Sequence, residues 1–143
     1  MTVALGCARL GAAAGEVPVG ALLLDAAGRE LARAHNRVEA DRDPTAHAEL
    51  LAIRAAARRL GSPRLVGCRL YVTLEPCAMC AQAIAFARLE RLTFGAYDPK
   101  GGGVEHGARI FEQATCHHRP EVVGGILERD CAALLQAFFR DRR

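Results

Sequence analysis

The segment CRLYVTLEPCAMCAQAIAFAR, residues 68–88, decides the fold of this chain. Residues 68–74 are mostly apolar or β-branched, which is typical of a buried strand. Pro76 favours the first turn of a helix, and the Ala-rich residues that follow predict that this helix runs to about Arg88. A strand that passes directly into a helix indicates an α/β fold.

The residues before this segment are predicted to form a helix, a β-hairpin and a second helix. Ala26-Ala27-Gly28 separates two runs with strand character, one apolar and one that alternates apolar and polar side chains. Asp43-Pro44-Thr45 favours a helix start, with Pro44 or Thr45 in the entry positions. The predicted elements are a short amphipathic helix at residues 2–14, strands at residues 17–25 and 29–36, and a helix at residues 46–60.

The residues after the segment are predicted to continue the alternation of strands and helices. Asp98-Pro99 and the three glycines after Lys100 require a loop. The predicted elements are a strand at residues 92–96, a loop at 98–103, a short helix near 108–113, a strand at 121–123 and a helix at 126–140. Residues 1–143 are therefore predicted to form a single domain, a three-layer α/β/α sandwich whose mixed five-stranded sheet has helices on both faces.

Length and cysteine content limit the class of protein. A chain of 143 residues can bury one core without the help of disulfides. Six cysteines without a charged and apolar leader predict reduced thiols and a cytoplasmic location. No apolar run approaches the roughly 20 residues of a membrane-spanning helix, so no membrane association is predicted.

Two short motifs carry the chemistry: His47-Ala48-Glu49 and Pro76-Cys77-Ala78-Met79-Cys80. Cys77 and Cys80 can share one helix face, and side chains in a first helical turn, such as His47 and Glu49, can converge in front of the helix. Three ligands leave zinc one open position for a water whose pKa falls to about 7. The motifs therefore predict a hydrolytic zinc site with ligands His47, Cys77 and Cys80, and with Glu49 transferring protons.

Other interpretations of the cysteine pair remain open at this point. A CxxC motif also occurs in redox pairs and in structural zinc sites, and a structural site needs a fourth ligand. Cys68 lies at the far end of its strand from Glu75, roughly 20 Å away at about 3.3 Å per residue, so we predict a core thiol. The other candidates are His35, Cys116 and His117. Cys116-His117-His118 has no partner at ligand spacing, which favours a loop or a substrate-facing segment over a second metal site.

At these two motifs the chain resembles the zinc-dependent cytidine deaminase superfamily, whose signature is H-x-E followed by P-C-x-x-C. Within that superfamily it is similar to the bacterial tRNA-specific adenosine deaminases, and a cytidine deaminase-like fold is implied. The similarity covers nearly the whole chain, with matching segments at residues 16–20, 43–49, 73–80, 94–100, 124–127 and 138–140. The two motifs identify only the superfamily, whereas the flanking segments and the last helix indicate the family.

The resemblance implies the hydrolytic conversion of adenosine to inosine at the wobble position of a tRNA anticodon, with release of ammonia. It also implies one zinc ion per subunit, a homodimer and an arginine tRNA as substrate. A deaminase of a free nucleobase or nucleoside (guanine, adenine or cytosine) is the alternative within enzymes. A non-catalytic, zinc-stabilised RNA-binding protein is a remote alternative, because it leaves Glu49 without a purpose. The net charge of +3 is too small to identify a nucleic-acid-binding protein by itself.

The resemblance further implies a set of substrate contacts near the zinc site. Asn36 matches a position that hydrogen-bonds the target base, although it can equally end its strand in a turn. Tyr97 stands where the family often has arginine, which can change how a flanking nucleotide is held. The remaining implied contacts are Val17, Val19 and Ala48 in the pocket, and Asp98 and Lys100 near the ribose and flanking nucleotides. Asp98-Pro99 is also an ordinary turn pair.

The last helix gives an independent indication of RNA binding. A buried stripe at 3.6-residue spacing is predicted from Leu127, Cys131, Leu134 and Phe138. Phe139 is rotated off this stripe beside Arg140, where an aromatic ring and a guanidinium can stack on an unpaired RNA loop. Packing of Phe139 under the chain end or at a dimer contact is the equal alternative.

Overall fold

A mixed five-stranded sheet forms the centre of the computed structural model, which describes residues 1–142. The strands are β1 (Gly20–Leu24), β2 (Glu30–His35), β3 (Arg69–Leu74), β4 (Arg91–Ala96) and β5 (Glu121–Val123). Their spatial order is β2-β1-β3-β4-β5. Strand β1 is antiparallel to both of its neighbours, whereas β3, β4 and β5 are parallel. The sheet confirms the predicted strand number and mixed direction.

Helices cover both faces of this sheet. The helices are α1 (Thr2–Ala13), α2 (Val38–Asp41), α3 (Ala48–Leu60), α4 (Ala78–Ala87) and α5 (Glu128–Arg140), with a 3₁₀ helix at Ile110–Glu112. On one face α1 contacts β1 and β2 while α5 contacts β4, and on the other α3 contacts β1, β2 and α4. This arrangement confirms the three-layer α/β/α sandwich. Within the described residues, every helix is too short or too polar to span a bilayer.

The core lies between the sheet and the helices, and it combines large apolar side chains from the strands with small ones from α3. Leu70, Val72 and Phe94 in the central strands have no exposed surface. On α3 the residues at four-residue spacing, Ala48, Ala52 and Ala56, are also fully buried, so their small side chains bring α3 close to the sheet. This close packing sets the distance between the start of α3 and the sheet.

The starts of α3 and α4 position the candidate site. His47 precedes α3 and Cys77 precedes α4, and both have extended backbone conformations as N-cap residues. The prediction that Pro44 or Thr45 enters the helix is wrong, because the side chain of Asp43 accepts hydrogen bonds from the backbone N–H and the hydroxyl of Thr45. These bonds form a turn that delays the helix until Ala48.

The carboxyl-terminal helix also differs from its prediction. It begins at Glu128 rather than at residue 126, because Leu127 adopts a left-handed conformation with φ +53°. Leu127 is therefore exposed and does not belong to the buried stripe, which consists of Cys131 and Phe138 with a half-buried Leu134. The short helix α2 has no counterpart among the predicted elements.

Candidate active site

The three predicted ligands converge at the starts of α3 and α4. The Nδ1 atom of His47 lies 3.6 Å from Sγ of Cys77 and 3.5 Å from Sγ of Cys80. All three ligand atoms lie within 4.8 Å of one another. The N-cap positions of His47 and Cys77 aim both side chains at the same point, and Cys80 reaches it from the first turn of α4.

The residues of this cluster fit a zinc ion. Tetrahedral bonds of about 2.3 Å to sulfur and about 2.0–2.1 Å to nitrogen place these ligand atoms about 3.5 Å apart, which matches the separations of His47 from the two sulfurs. Glu49 is buried beside them, and its Oε2 atom has no hydrogen-bond partner within residues 1–142. A buried carboxylate oxygen without a partner is costly, so a polar group belongs in the space that it faces.

The electrostatics of the cluster favour metal binding. A hydrogen bond from the thiol of Cys80 lowers the pKa of Cys77 to about 4 against the effect of burial, and His47 adds to the lowering. The same hydrogen bond, with burial, raises the pKa of Cys80 above its usual range. A lowered pKa at Cys77 suits a zinc ligand, because cysteine binds metals as the thiolate.

Glu49 has the electrostatic character of a proton carrier. Burial raises the pKa of its carboxyl group to about 7, against smaller lowering effects from its own backbone N–H and from His47. A carboxyl group whose pKa lies near neutral pH can both accept and return a proton in one reaction cycle.

A cavity of about 560 Å³ opens above the cluster. Four predicted substrate-binding residues line it together with His47, Glu49 and Cys77, and these four are Val17, Val19, Asn36 and Asp98. Ala48 is fully buried in the core and contributes no lining to this cavity. Its backbone N–H instead donates a 2.8 Å hydrogen bond to Oδ1 of Asn36.

The remaining predicted RNA contacts lie on the surface beside the cavity. Lys100, Phe139 and Arg140 line a hollow along α5, and Asp98 lines both the cavity and the neighbouring groove that contains Tyr97. Phe139 is 49% exposed, and its ring packs edge to face against the buried Phe138. Within this chain, Phe139 is therefore a surface residue rather than one packed under the chain end.

The candidates for a fourth ligand lie elsewhere. Within residues 1–142, His47, Cys77 and Cys80 form the only cluster of three or more potential ligands. Cys68 is a buried core residue, as predicted. The ring of His35 donates a hydrogen bond to the backbone carbonyl group of Asn36. The thiol of Cys116 donates a hydrogen bond to the backbone carbonyl group of His118. An open zinc site with three protein ligands is thus favoured over a structural one.

Two buried glutamates at the cavity were not predicted from the sequence. Glu16 accepts hydrogen bonds from the backbone N–H groups of Glu39 and Ala40, which ties α2 to the cavity. Glu75 accepts hydrogen bonds from the loop after β4. Glu16 is the first residue of the segment EVPVG and Glu75 directly precedes PCAMC, but a sequence does not reveal which backbone groups a carboxylate will meet.

Comparisons with known proteins agree with this geometry. The family model for the cytidine and deoxycytidylate deaminase zinc-binding region matches residues 1–96. The tRNA-specific adenosine deaminase of Agrobacterium fabrum is 54% identical over 144 residues, which cover 100% of this chain and 93% of the relative. The tRNA-specific adenosine deaminase of Bacillus subtilis is 48% identical over 129 residues, which cover 90% of this chain and 80% of the relative.

The chain belongs to the tRNA-specific adenosine deaminase family. A solved structure of this family comes from work on A-to-I editing by tRNA:A34 deaminases at the wobble position of transfer RNA. It superposes with a TM-score of 0.92 at 53% identity and covers 94% of this chain and 97% of its own. Like this family, the chain is a zinc-binding deaminase, and His47, Cys77 and Cys80 form a group that could hold the ion.

Proposed function

We propose that this chain converts adenosine to inosine at wobble position 34 of a tRNA anticodon by hydrolysis, with release of ammonia. The buried carboxylate of Glu49, with one unpartnered oxygen beside three zinc ligands, carries the assignment of hydrolytic deamination. The identity of the relatives, 54% and 48% over most of the chain, supports adenosine in tRNA as the substrate.

The chain's own groups account for the proton transfers. Zinc held by His47, Cys77 and Cys80 would lower the pKa of a water molecule and so make it a nucleophile at neutral pH. The Oε2 atom of Glu49 accepts one proton of the water molecule while the water oxygen attacks C6 of adenine. Glu49 then delivers this proton to N1. It next takes the remaining proton from the hydroxyl group now on C6 and gives it to the amino group, so that the C6–N bond breaks, ammonia leaves and C6 becomes a carbonyl carbon.

The positions of the lining residues support the substrate contacts that we propose. The amide nitrogen of Asn36 donates to the target base, while Val17 and Val19 pack against it. Ala48 does not reach the base, and its backbone N–H holds Asn36 in place. We assign the ribose and flanking nucleotides to Asp98, which lines the cavity and the adjoining groove, and to Lys100, which lines that groove. Phe139 and Arg140 offer a stacking ring and a charge to the rest of the anticodon loop.

The partners and location complete the proposal. We expect a homodimer in the cytoplasm, a single deaminase domain over residues 1–143, and an arginine tRNA as the natural substrate. Mapping inosine across host tRNAs after addition of purified enzyme identifies the substrate, and sedimentation measures the oligomeric state. Inosine in other tRNAs but not in arginine tRNA would refute the arginine assignment alone.

A direct comparison of substrates tests the central assignment. Zinc-loaded protein is incubated with an anticodon stem-loop RNA containing A34 and, separately, with free adenine, adenosine, guanine and cytosine. We expect inosine from the RNA only. Product from free substrates alone would establish the alternative, a nucleobase or nucleoside deaminase, and RNA binding without any product would establish a non-catalytic RNA-binding protein.

A further inference from the structure

The carboxylate of Glu75 is the centre of a hydrogen-bond network that the proposed chemistry does not use. Its side chain is fully buried. Its Oε2 atom accepts hydrogen bonds from the backbone N–H of Asp98 at 2.9 Å and from Nδ1 of His106 at 2.9 Å. Its Oε1 atom accepts three more from the backbone N–H groups of residues 104–106, at 3.3, 2.8 and 3.0 Å. One side chain thus holds both ends of a nine-residue loop, 98–106.

This loop has no regular helix or strand of its own and is pressed against the metal-binding helix. The backbone N–H of Gly103 donates to the carbonyl group of Pro76 at 2.8 Å. A Cβ atom on Gly103 would lie 2.5 Å from the backbone nitrogen of Ala78, and one on Gly102 would lie 2.5 Å from the carboxyl carbon of Glu75. The glycines therefore allow the loop to approach Glu75 and α4 more closely than any other residue could.

The loop forms one wall of the cavity above the zinc ligands. Asp98 and Gly101 line the cavity, and Lys100 lies on the adjoining surface. Two residues before Cys77, Glu75 joins this wall to the helix that carries two of the three metal ligands. The position of this wall relative to Cys77 therefore depends on the hydrogen bonds of Glu75 together with that of Gly103.

We infer that Glu75 is a positioning residue for substrate binding: it fixes the loop 98–106 against α4, so that Asp98 and Lys100 face the RNA beside the zinc site. This inference rests on the proposed function, because the loop matters only if a nucleotide enters the cavity. It differs from a ligand role, since the Glu75 side chain points to the loop and belongs to no cluster of potential ligands within residues 1–142.

The network requires a carboxylate rather than any polar side chain of the same size. Both oxygens of Glu75 face N–H donors, so both must be acceptors. A glutamine can keep the three bonds at residues 104–106 through its oxygen, but its NH₂ group then faces the backbone N–H of Asp98. The expected defect of Glu75→Gln is therefore a released Asp98 with the far end of the loop still attached.

The test compares Glu75→Gln with Glu105→Gln, which makes the same chemical change on an exposed side chain of the same loop. In zinc-loaded Glu75→Gln we expect full zinc content and faster amide hydrogen exchange at Asp98 than at residues 104–106. With stem-loop RNA we expect KM to rise about tenfold, the scale of one lost hydrogen bond to a charged acceptor, and kcat to stay near that of the wild type. Glu105→Gln should match the wild type in all of these measurements.

A second variant keeps the test decisive if Glu75→Gln does not fold. Gly102→Ala places a methyl group 2.5 Å from the Glu75 carboxyl carbon and 2.6 Å from the carbonyl oxygen of Asp98, so it forces the loop away from Glu75 and should produce the same exchange and KM changes. Gly6→Ala is its control, because a Cβ there meets no atom within 4 Å outside its own helix turn. Unchanged exchange at Asp98, or a loss of kcat in proportion to lost zinc, would overturn the positioning role. A wild-type protein inactive on RNA would refute the proposed function, while the exchange measurement would still decide whether Glu75 fixes the loop 98–106.

Discussion

The Oδ1 atom of Asn36 accepts a 2.8 Å hydrogen bond from the backbone N–H of Ala48, the first residue of α3. Ala48 lies between His47 and Glu49, so Asn36 is fixed to the helix start that carries both functional groups. Within residues 1–142 the amide nitrogen of Asn36 makes no hydrogen bond of its own. The oxygen of Asn36 therefore has a structural role, and its nitrogen is the atom that our proposal assigns to the base.

Replacement of Asn36 by alanine should lower both stability and activity. The buried N–H of Ala48 loses its partner, which we expect to lower the free energy of unfolding by about 1–2 kcal/mol. Asn36→Asp keeps an acceptor at the helix N-terminus and removes the donor, so it should regain part of this stability without regaining kcat/KM. Urea unfolding and RNA deamination assays measure the two effects, and an Asn36→Asp enzyme of wild-type activity would exclude the base contact.

Glu49→Gln should separate catalysis from binding. The amide retains the size of the side chain but cannot accept the proton of the water, so we expect turnover to fall by about 10²-fold to 10⁴-fold. Zinc content and RNA affinity should remain those of the wild type. Glu90→Gln, on an exposed side chain, is the matched control. Single-turnover deamination measures the rate, and an active Glu49→Gln enzyme would refute the proton-transfer role.

Replacement of cysteine by serine should remove zinc at the ligand positions but not elsewhere in the chain. Cys77→Ser and Cys80→Ser should each lose most of the bound zinc, since a hydroxyl group does not ionise at neutral pH to replace the thiolate. Cys116→Ser should keep its zinc, because Cys116 lies outside the cluster. Metal analysis after gel filtration gives the stoichiometry. A full complement of zinc in Cys80→Ser would show that the three-ligand assignment is wrong.

Part of the ligand cluster could be predicted from the sequence because its geometry is local: Cys77 and Cys80 share the start of α4, while His47 and Glu49 share the start of α3. The meeting of these two helix starts, which lie 30 residues apart, is indicated by the pair of motifs and not by local geometry. The exact start of α3 could not be predicted, because Asp43 forms a turn with Thr45 that competes with the helix. Helix α3 therefore begins about one turn later than predicted, but His47 and Glu49 still lie at its start.

The residues that shape the cavity depend on contacts between distant parts of the chain. Glu16 meets α2 and Glu75 meets the loop 98–106, at sequence separations of more than twenty residues. Neither partner is marked by a motif, since the donors are backbone N–H groups. Leu127 shows the same limit, because its helical spacing predicted burial while its left-handed backbone places it outside the helix.

Two adjacent phenylalanines on α5 should give opposite phenotypes. Phe138 is buried under the guanidinium of Arg142, 3.6 Å from its ring centre, so Phe138→Ala should lower the free energy of unfolding by about 3 kcal/mol or more. Phe139 is exposed, and Phe139→Ala should leave stability unchanged while weakening RNA binding by about 1–3 kcal/mol. Thermal unfolding and fluorescence anisotropy with stem-loop RNA measure the pair. Unaltered RNA affinity in Phe139→Ala would remove Phe139 from the proposed interface.

The hydrogen bonds of Glu75 also predict how stability depends on acid. Burial raises the pKa of Glu75, but hydrogen bonds from the N–H of Asp98, from His106 and from Glu105 outweigh it and hold the pKa below the ordinary value of 4.5. The folded state thus prefers the charged carboxylate more than the unfolded state does. The resulting stabilisation is complete above the unfolded pKa and is lost as the pH falls through the folded pKa.

Glu75→Gln should remove this acid-sensitive contribution. The variant should have a lower free energy of unfolding than the wild type at neutral pH. This difference should narrow as the pH falls below the ordinary carboxyl pKa of 4.5, because only the wild type loses the stabilisation from the charged carboxylate. Urea unfolding of both proteins from neutral to acidic pH tests this expectation. Chelator-treated protein is used so that acid release of zinc from the thiolates does not add to the difference. A difference in free energy of unfolding that stays constant across this pH range would mean that the charge on Glu75 does not stabilise the folded state.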